Sequence, residues 1–303
     1  MVNKVQKYVF VGDCNSINLE IIYKGFSYLK NKLEYILIGD IDDLKSYLNS
    51  INSKIRVNEI YNPLSFKEYK KNYFNFFNVK KKNIKKYKNL LHQIEISNSL
   101  ANKTKNDLVT MPINKDLFKK EMNFIGMTEH LAKINNTNTL MLMLGDNFSV
   151  IPFTTHINPK NIHKEIRRRA ISSFLNLILK NLDKCSYNLN FKKIIFICYN
   201  PHCGERGTIG NEDNLIAKIL KKYPKIQGPY AADSSFNNFR KKTLFITTYH
   251  DQGLIPFKSL NNKGVNLTLG LNYKRLSPAH GTAIDIKNKN SANIESYIQC
   301  MLI

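Results

Sequence analysis

Short apolar runs alternate along the chain with longer segments in which apolar residues recur at helical spacing. Runs rich in β-branched and aromatic residues predict buried strands, and the segments between them predict helices. The predicted strands cover residues 8–12, 34–39, 108–110, 139–143, 149–153, 193–198 and 244–248. The predicted helices cover 18–30, 42–48, 84–101, 161–182 and 211–222. This alternation indicates an α/β fold, in which 139–143 should pair with 149–153.

Three histidines follow apolar runs closely: His156, His202 and His250. In an open α/β sheet, ligands bind at the carboxyl ends of the strands. Imidazole is a preferred ligand of zinc and similar divalent metals. The pattern therefore predicts that the three imidazoles converge on one metal ion and leave a position open for substrate.

Composition narrows the class of protein. A chain of 303 residues with 43% apolar content predicts a folded protein with a sizeable core. No apolar stretch approaches the roughly 20 residues of a transmembrane helix, and the N-terminus carries no signal-peptide pattern. The cysteines at 14, 185, 198, 203 and 300 are odd in number and form no Cys-x-x-Cys pair. We therefore expect a cytoplasmic protein without disulfides or a membrane segment.

The formal net charge of +23 would ordinarily favour nucleic acid as a partner. The lysines, however, are spread along the whole chain among Asn, Ile and Tyr, residues that all have AT-rich codons. The densest run, at 80–88, predicts a solvated helix face or loop. We interpret the charge as compositional drift and expect no nucleic-acid partner.

Two segments concentrate functional groups. Residues 199–212 read as a strand end, a glycine-rich loop and a helix start, which suits a tight turn and an anion. The glycine spacing matches neither the dinucleotide fingerprint nor a Walker loop, so neither signature supports a nucleotide there. Residues 249–258 place imidazole, carboxylate and amine within nine positions, on sequence that reads as a loop.

Seven sequence blocks, in family order, resemble the 4-hydroxythreonine-4-phosphate dehydrogenase family of vitamin B6 biosynthesis. The blocks are Thr-Met-Pro-Ile-Asn-Lys at 110–115, Gly-Met-Thr-Glu at 126–129, Asn-Pro-His-Cys-Gly-Glu at 200–205, Gly-Pro at 228–229, Ala-Asp at 232–233, Tyr-His-Asp-Gln-Gly-Leu at 249–254 and His-Gly-Thr-Ala at 280–283. The long His-Asp-Gln-Gly and His-Gly-Thr-Ala blocks are the most specific.

The resemblance implies a two-domain α/β/α subunit related to isocitrate and isopropylmalate dehydrogenases. We expect a first domain of residues 1–122 plus 287–303 and a second of 123–286 that carries most of the metal and substrate ligands. The resemblance also implies a homodimer with the active site at the subunit interface.

The activity implied is NAD-dependent oxidation of 4-phosphooxy-L-threonine, a small phosphorylated substrate, to a 3-keto acid that decarboxylates to 3-amino-2-oxopropyl phosphate. A divalent metal (zinc, cobalt, manganese or magnesium) is expected on His156, His202 and His250. The expected substrate contacts are Thr128, Lys258, Asn266 and Arg275. Asp251 and Lys258 are the catalytic candidates, Asp251 either orienting a metal ligand or accepting a proton. The resemblance assigns no residue to NAD.

Two departures from the family pattern leave other functions open. Met127 stands where the family usually has His, so that contact with phosphate is lost or passes to a neighbour such as His130. Residues 12–20 correspond to the family's Gly-Asp-Pro-Ala-Gly-Ile-Gly-Pro-Glu but have lost both of its internal glycines. The alternatives are a related dehydrogenase of 4-phospho-threonate or phospho-erythronate, and a non-catalytic basic binding protein on the same fold.

Overall fold

The structure is a computed structural model that describes residues 6–82, 84–118, 124–184, 187–237 and 241–303. The chain divides into two compact units, residues 1–137 with 271–303 and residues 138–270. The sequence expectation placed the boundaries after 122 and after 286. The first of these positions lies outside the described residues.

The first unit is built on parallel strands. Its strands are β1 (Gln6–Phe10), β2 (Glu34–Gly39), β3 (Val57–Glu59), β4 (Phe74–Asn78), β5 (Asp107–Thr110) and β12 (Arg275–Pro278). They lie in the order β3-β4-β2-β1-β5-β12, and each neighbouring pair is parallel. Helices on both faces are expected of such a sheet, so its central strands are almost continuously apolar. This explains why β1, β2 and β5 were predictable from sequence.

The helices of the first unit connect and cover these strands. They are α1 (Asn18–Leu29), α2 (Ile41–Ser50), α3 (Lys86–Thr104), α4 (Met127–Ile134) and α10 (Glu295–Leu302). Asp40 caps α2, because its side chain accepts a hydrogen bond from the Asp42 amide. The core forms where strand residues such as Tyr8 and Ile36 meet Leu90 and Ile94 of α3.

The second unit has a mixed sheet. Its strands are β6 (Leu140–Gly145), β7 (Phe148–Thr154), β8 (Lys193–Ile197), β9 (Ile226–Tyr230), β10 (Thr243–Tyr249) and β11 (Gly264–Leu269). Their order is β11-β6-β7-β10-β8-β9. The pairs that β6 forms with β11 and β7 are antiparallel, and the remaining pairs are parallel. The predicted pairing of 139–143 with 149–153 is confirmed, with Met143 opposite Val150.

The helices of the second unit correct two sequence predictions. They are α5 (Ile162–Glu165), α6 (Arg168–Leu182), α7 (Glu212–Leu220), α8 (Ala232–Ser235) and α9 (His250–Leu260). The single helix predicted over 161–182 was wrong, because Arg167 is extended and separates α5 from α6. In a continuous helix Ile162 and Ile171, nine residues apart, would face opposite sides. The break lets both side chains be buried.

The loop predicted over 249–258 was also wrong, because helix α9 begins at His250. Its buried face is narrow, consisting of Gly253, Leu254 and Phe257. Exposed Ile255 and the helix-internal Pro256 stand between Leu254 and Phe257, so the sequence shows no clear helical stripe.

Two further observations concern the described part of the chain. No helix there combines the length and the apolarity needed to cross a bilayer. The four cysteines within it, at positions 14, 198, 203 and 300, are free thiols.

Candidate active site

His250 is the first residue of α9 and directly follows β10. Its Nδ1 lies 2.7 Å from Asp251 Oδ1. When the carboxylate is ionised, Nδ1 carries the proton and Nε2 keeps its lone pair. Carboxylate contacts of this kind orient metal-binding histidines in other proteins. Asp251 is therefore placed to fix the tautomer and the ring orientation of His250.

His156 lies two residues beyond β7, the strand that pairs with β10. Thr154 is opposite Tyr249 in this parallel pair, and the Thr154 hydroxyl donates to the Thr248 carbonyl across 2.8 Å. The two strand ends are therefore held together, and the ring centroids of His156 and His250 are 6.1 Å apart. The prediction that each of these two histidines follows a strand is confirmed, and the structure adds that the two strands are neighbours in the sheet.

His202 begins an unusual turn after β8. Five successive residues, 202–206, have positive φ between 43° and 78°, in the left-handed region. Side chains other than glycine rarely enter this region even singly, and such strain persists only where the surroundings enforce it. Gly204 sits in the middle of the run, and a Cβ there would lie 2.4 Å from the Gly210 carbonyl oxygen.

A buried carboxylate fixes the approach to this turn. Asp213, at the start of α7, accepts hydrogen bonds from the amides of Tyr199 (2.7 Å) and Asn200 (2.9 Å) and from the Asn200 side chain (3.0 Å). The neighbouring Glu212 accepts from Asn200 Nδ2, and this bond lowers the pKa of Glu212. The turn that carries His202 is thus anchored on the N-terminus of α7.

Gln252 connects the strand ends that precede His202 and His250. Its Oε1 accepts from the amide and the hydroxyl of Thr248, each at 2.9 Å, while its Nε2 donates to the Cys198 carbonyl across 2.8 Å. The ends of β10 and β8 are therefore joined through one side chain. No local sequence pattern predicts this role of Gln252. The only available signal was the position of Gln252 inside the matched His-Asp-Gln-Gly block.

Asp233 was also missed as a site residue. Its Oδ2 lies 4.0 Å from His202 Nδ1, an ion-pair distance longer than a hydrogen bond. His202, Asp233, Tyr249 and Gln252 line one cavity of about 250 Å³. The chemistry at this edge of the second unit therefore includes a carboxylate beside an imidazole.

The three imidazoles do not form a ready metal site in the single chain. Across the described ranges, no three side chains of the His, Cys, Asp or Glu type lie close enough to hold one ion. His156 and His250 are neighbours and suit a divalent cation, since Asp251 orients one of the two rings. His202 lies beside Asp233 instead. The three-histidine metal site stays a prediction.

In the first unit, Arg275 and Thr128 are brought together. The Arg275 side chain is buried, its Nε donates to Thr110 Oγ1 across 2.8 Å, and its Nη1 lies 3.3 Å from Thr128 Oγ1. Burial lowers the pKa of Arg275 to about 10, so the guanidinium remains charged at neutral pH. These are two of the four residues predicted to contact substrate.

Met127 and His130 both face the interior of the first unit. Met127 packs against the apolar core cluster. His130 Nε2 lies 3.9 Å from Glu95 Oε1, and the His130 ring is tilted against Phe124. Burial lowers the pKa of His130. His130 is therefore occupied in packing between α3 and α4, and the suggestion that it replaces a phosphate contact gains no support.

The other two predicted substrate residues belong to the second unit. Lys258 is exposed on α9. Asn266 lies on β11, and its Oδ1 is buried without a hydrogen-bond partner among the described residues. A buried acceptor of this kind normally has a donor. The Asn266 oxygen therefore suits contact with a ligand amine or hydroxyl.

The folded chain closely matches solved dehydrogenase structures. The crystal structure of 4-hydroxythreonine-4-phosphate dehydrogenase from Klebsiella pneumoniae aligns with a TM-score of 0.81 at 23% identity, covering 99% of this chain and 98% of that one. A putative 4-hydroxythreonine-4-phosphate dehydrogenase from Salmonella typhimurium gives a TM-score of 0.79 at 22% identity, covering 99% of each chain. The fold is thus that of an α/β protein of the 4-hydroxythreonine-4-phosphate dehydrogenase type, as the sequence predicted.

Sequence comparison identifies the family. Residues 31–303 match the family described as pyridoxal phosphate biosynthetic protein PdxA. The 4-hydroxythreonine-4-phosphate dehydrogenase of Sulfurihydrogenibium sp. (strain YO3AOP1) is 30% identical over 314 residues, which cover 98% of this chain and 96% of that protein. The one of Hydrogenobaculum sp. (strain Y04AAS1) is 39% identical over 194 residues, covering 63% and 62%. This chain belongs to the PdxA family.

Proposed function

We propose that this chain is a 4-hydroxythreonine-4-phosphate dehydrogenase. It oxidises 4-phosphooxy-L-threonine with NAD to a 3-keto acid, which loses carbon dioxide to give 3-amino-2-oxopropyl phosphate in pyridoxal 5'-phosphate biosynthesis. Full-length similarity to a relative of that name supports this reaction. The structural observation that carries it is the Gln252 bridge, because it ties together the strand ends before His202 and His250.

A divalent cation is part of the proposal. His156, His202 and His250 would hold it, with zinc, cobalt, manganese and magnesium as candidates. When bound, the cation would polarise the substrate hydroxyl and lower its pKa. Asp251 keeps the proton on His250 Nδ1, so the opposite nitrogen remains a ligand.

Four side chains would bind substrate. Arg275 and Lys258 supply positive charge for phosphate or carboxylate, Arg275 through a planar fork that bonds two oxygens at once. Thr128 lies 3.3 Å from Arg275 and would add a hydroxyl to the same anion. The unpartnered Asn266 oxygen would accept from the substrate amine or hydroxyl. A homodimer in the cytoplasm completes the proposal. The free thiols of the described cysteines fit a reducing compartment.

Met127 supports a second candidate from the same class. Its side chain packs into the apolar core and offers no hydrogen-bond donor to phosphate. A related dehydrogenase of 4-phospho-threonate or 4-phospho-erythronate would tolerate this change if its substrate used other phosphate contacts.

Formation of NADH tests both candidates. Purified protein is assayed with each of the three phosphorylated substrates, with added metal and again after treatment with a chelator. We expect fastest turnover with 4-phosphooxy-L-threonine, loss after chelation, and recovery when metal returns. The variant His250→Ala should lose about a hundredfold or more in rate, whereas the exposed control His163→Ala should not.

Preference for 4-phospho-threonate or 4-phospho-erythronate would favour the second candidate. Absence of NADH with all three substrates, in metal-loaded protein, would refute both and favour a non-catalytic binding protein.

A further inference from the structure

A basic cavity opens in the first unit, at the carboxyl ends of β1, β2 and β4. Its volume is about 480 Å³, within the range typical of small-molecule sites. Among the described residues, four lysines line it: Lys81, Lys82, Lys86 and Lys287. None of the residues predicted to bind metal or substrate takes part. The cavity is therefore a separate feature that the proposed chemistry leaves unexplained.

Buried polar side chains fix the backbone of Lys81 and Lys82. The Lys81 amide donates to Asp40 Oδ2 across 2.8 Å, and the Lys82 amide donates to Asn89 Oδ1 across 3.0 Å. Asn89 also donates back to the Lys82 carbonyl, at 3.1 Å. Asp40 and Asn89 are themselves buried. Lys81 and Lys82 are exposed, as predicted for residues 80–88, but their backbone is fixed from beneath.

The positive charge around the cavity is only partly neutralised. Lys86 Nζ lies 2.7 Å from the buried Asp13 carboxylate, and Lys81 pairs with Asp43. Lys287 donates to the neutral side chain of Asn15 across 2.8 Å. The lysines therefore outnumber the two carboxylates that they meet.

Helix α3 adds to this imbalance. It begins at Lys86, and its first turn contains no acidic residue. The N-terminus of a helix carries a partial positive charge and disfavours cations. An anion bound beside Lys86 would relieve the repulsion both from the helix and among the lysines.

The remaining lining suits the rest of a nucleotide. Ile84 and Leu90 supply apolar surface to the lining. Gly12 also lines the cavity, at φ +73°, and a Cβ at this position would meet the Pro112 carbonyl oxygen at 2.5 Å. The loop after β1 can therefore pass close to residues 111–112 only because position 12 has no side chain.

We propose that this cavity binds the pyrophosphate of a nicotinamide dinucleotide, with lysines in place of the glycine-rich loop that the sequence lacks. Lysine ammonium groups bind phosphate oxygens as point charges and need no fixed fork geometry. The assignment rests on the proposed function, since that reaction requires NAD, and it supplies the contacts that the family resemblance left open.

Calorimetric titration of the full chain tests the proposal with three ligands: NAD, ADP and inorganic pyrophosphate. The test variant is Lys81→Gln/Lys82→Gln. The matched control is Lys80→Gln/Lys88→Gln, which removes the same charge from lysines of the same run outside the cavity lining. We expect the test pair to raise the Kd of all three ligands by about tenfold or more, and the control pair to leave each Kd within about twofold.

A variant that should tighten binding keeps the proposal testable even if Lys81→Gln/Lys82→Gln misfolds. Asp43→Asn removes the carboxylate that pairs with Lys81, so it should lower the Kd of pyrophosphate and NAD by a few-fold. Equal weakening by the test and control pairs would mean diffuse charge attraction and would overturn the proposal. If the cavity binds ADP and pyrophosphate but the test pair keeps the wild-type affinity for NAD, the dinucleotide assignment is overturned.

The cavity and the reaction can fail separately. If the wild-type protein forms NADH from 4-phosphooxy-L-threonine but the test pair binds NAD normally, the cavity assignment is wrong and the proposed function stands. If NAD binds at the lysines but no substrate is oxidised, the proposed function is wrong and the cavity assignment stands.

Discussion

The side-chain amide of Gln252 donates to the carbonyl oxygen of Cys198 across 2.8 Å and joins the end of β10 to the end of β8. The same side chain accepts two hydrogen bonds from Thr248. One residue thus joins the strand ends that precede His202 and His250.

Replacing Gln252 by Leu should destabilise the protein and displace the strand ends that precede His202 and His250. The change leaves the Thr248 amide and the Cys198 carbonyl without a partner, which should lower the free energy of unfolding by about 1–3 kcal/mol. Urea denaturation measures the loss, and NADH formation should fall with it. Gln227→Leu, on the exposed part of β9, is the control. Equal stability of the two variants would contradict the bridging role.

Replacing Asp251 by Asn should weaken metal binding. The carboxylate fixes the proton on His250 Nδ1, and loss of such a partner typically costs roughly 10–100-fold in metal affinity or activity. Competition with a chromogenic chelator measures the affinity. Asp183→Asn removes an exposed carboxylate elsewhere in the second unit and should have no effect. Wild-type affinity and wild-type turnover in Asp251→Asn would exclude both an orienting and a catalytic role.

Replacing Gly204 by Ala should disturb the turn that carries His202. Gly204 has φ +78°, and the new Cβ would overlap the Gly210 carbonyl. A cost of about 1–3 kcal/mol in the free energy of unfolding is expected from strain of this kind. Among the described residues, no atom lies within 4 Å of the place that a Cβ would take at Gly281, so Gly281→Ala serves as the control for thermal or urea unfolding. A stable Gly204→Ala protein would show that the left-handed run is not enforced.

Acidification should destabilise the protein in part through His130. Burial lowers the pKa of His130 below its usual 6.5, with the Glu95 carboxylate opposing the shift. Between these two pKa values the unfolded chain binds more protons, so stability falls as the pH drops from about 6.5 through the folded pKa. His130→Gln should flatten this part of a stability profile measured by urea denaturation. The exposed control His163→Gln should retain the wild-type slope, and an unchanged slope in His130→Gln would contradict the assignment.

Among the twelve strands of the described residues, the sequence predicted seven (β1, β2, β5, β6, β7, β8 and β10), whose apolar runs are a local signal, and it did not predict β3, β4, β9, β11 and β12. β2 was placed with its observed ends, and His156 and His250 were each correctly placed just beyond a strand. The broken helix before Leu182 was missed because its cause is tertiary: Ile162 and Ile171 must both reach the core.

The candidate site was harder to predict than the fold. Gln252 and Asp233 act through partners 54 and 31 positions away, a pairing that no local pattern reveals. Lys81 and Lys82 were interpreted as ordinary solvated charge because the side chains that hold their backbone come from the start of α2 (Asp40) and from α3 (Asn89). Family motifs identified chemistry-bearing positions, whereas the groups that hold them in place emerged only from the folded chain.

The division of the chain into one continuous and one discontinuous unit has a consequence for biosynthesis. Residues 138–270 are contiguous, so every strand of the second unit has been made before β12 leaves the ribosome. The other unit needs β12 beside β5, and it needs the Cys300 carbonyl to accept from the buried Lys7 ammonium across 3.3 Å. The contact between Lys7 of β1 and Cys300 of α10 can therefore form only after the whole second unit has been synthesised.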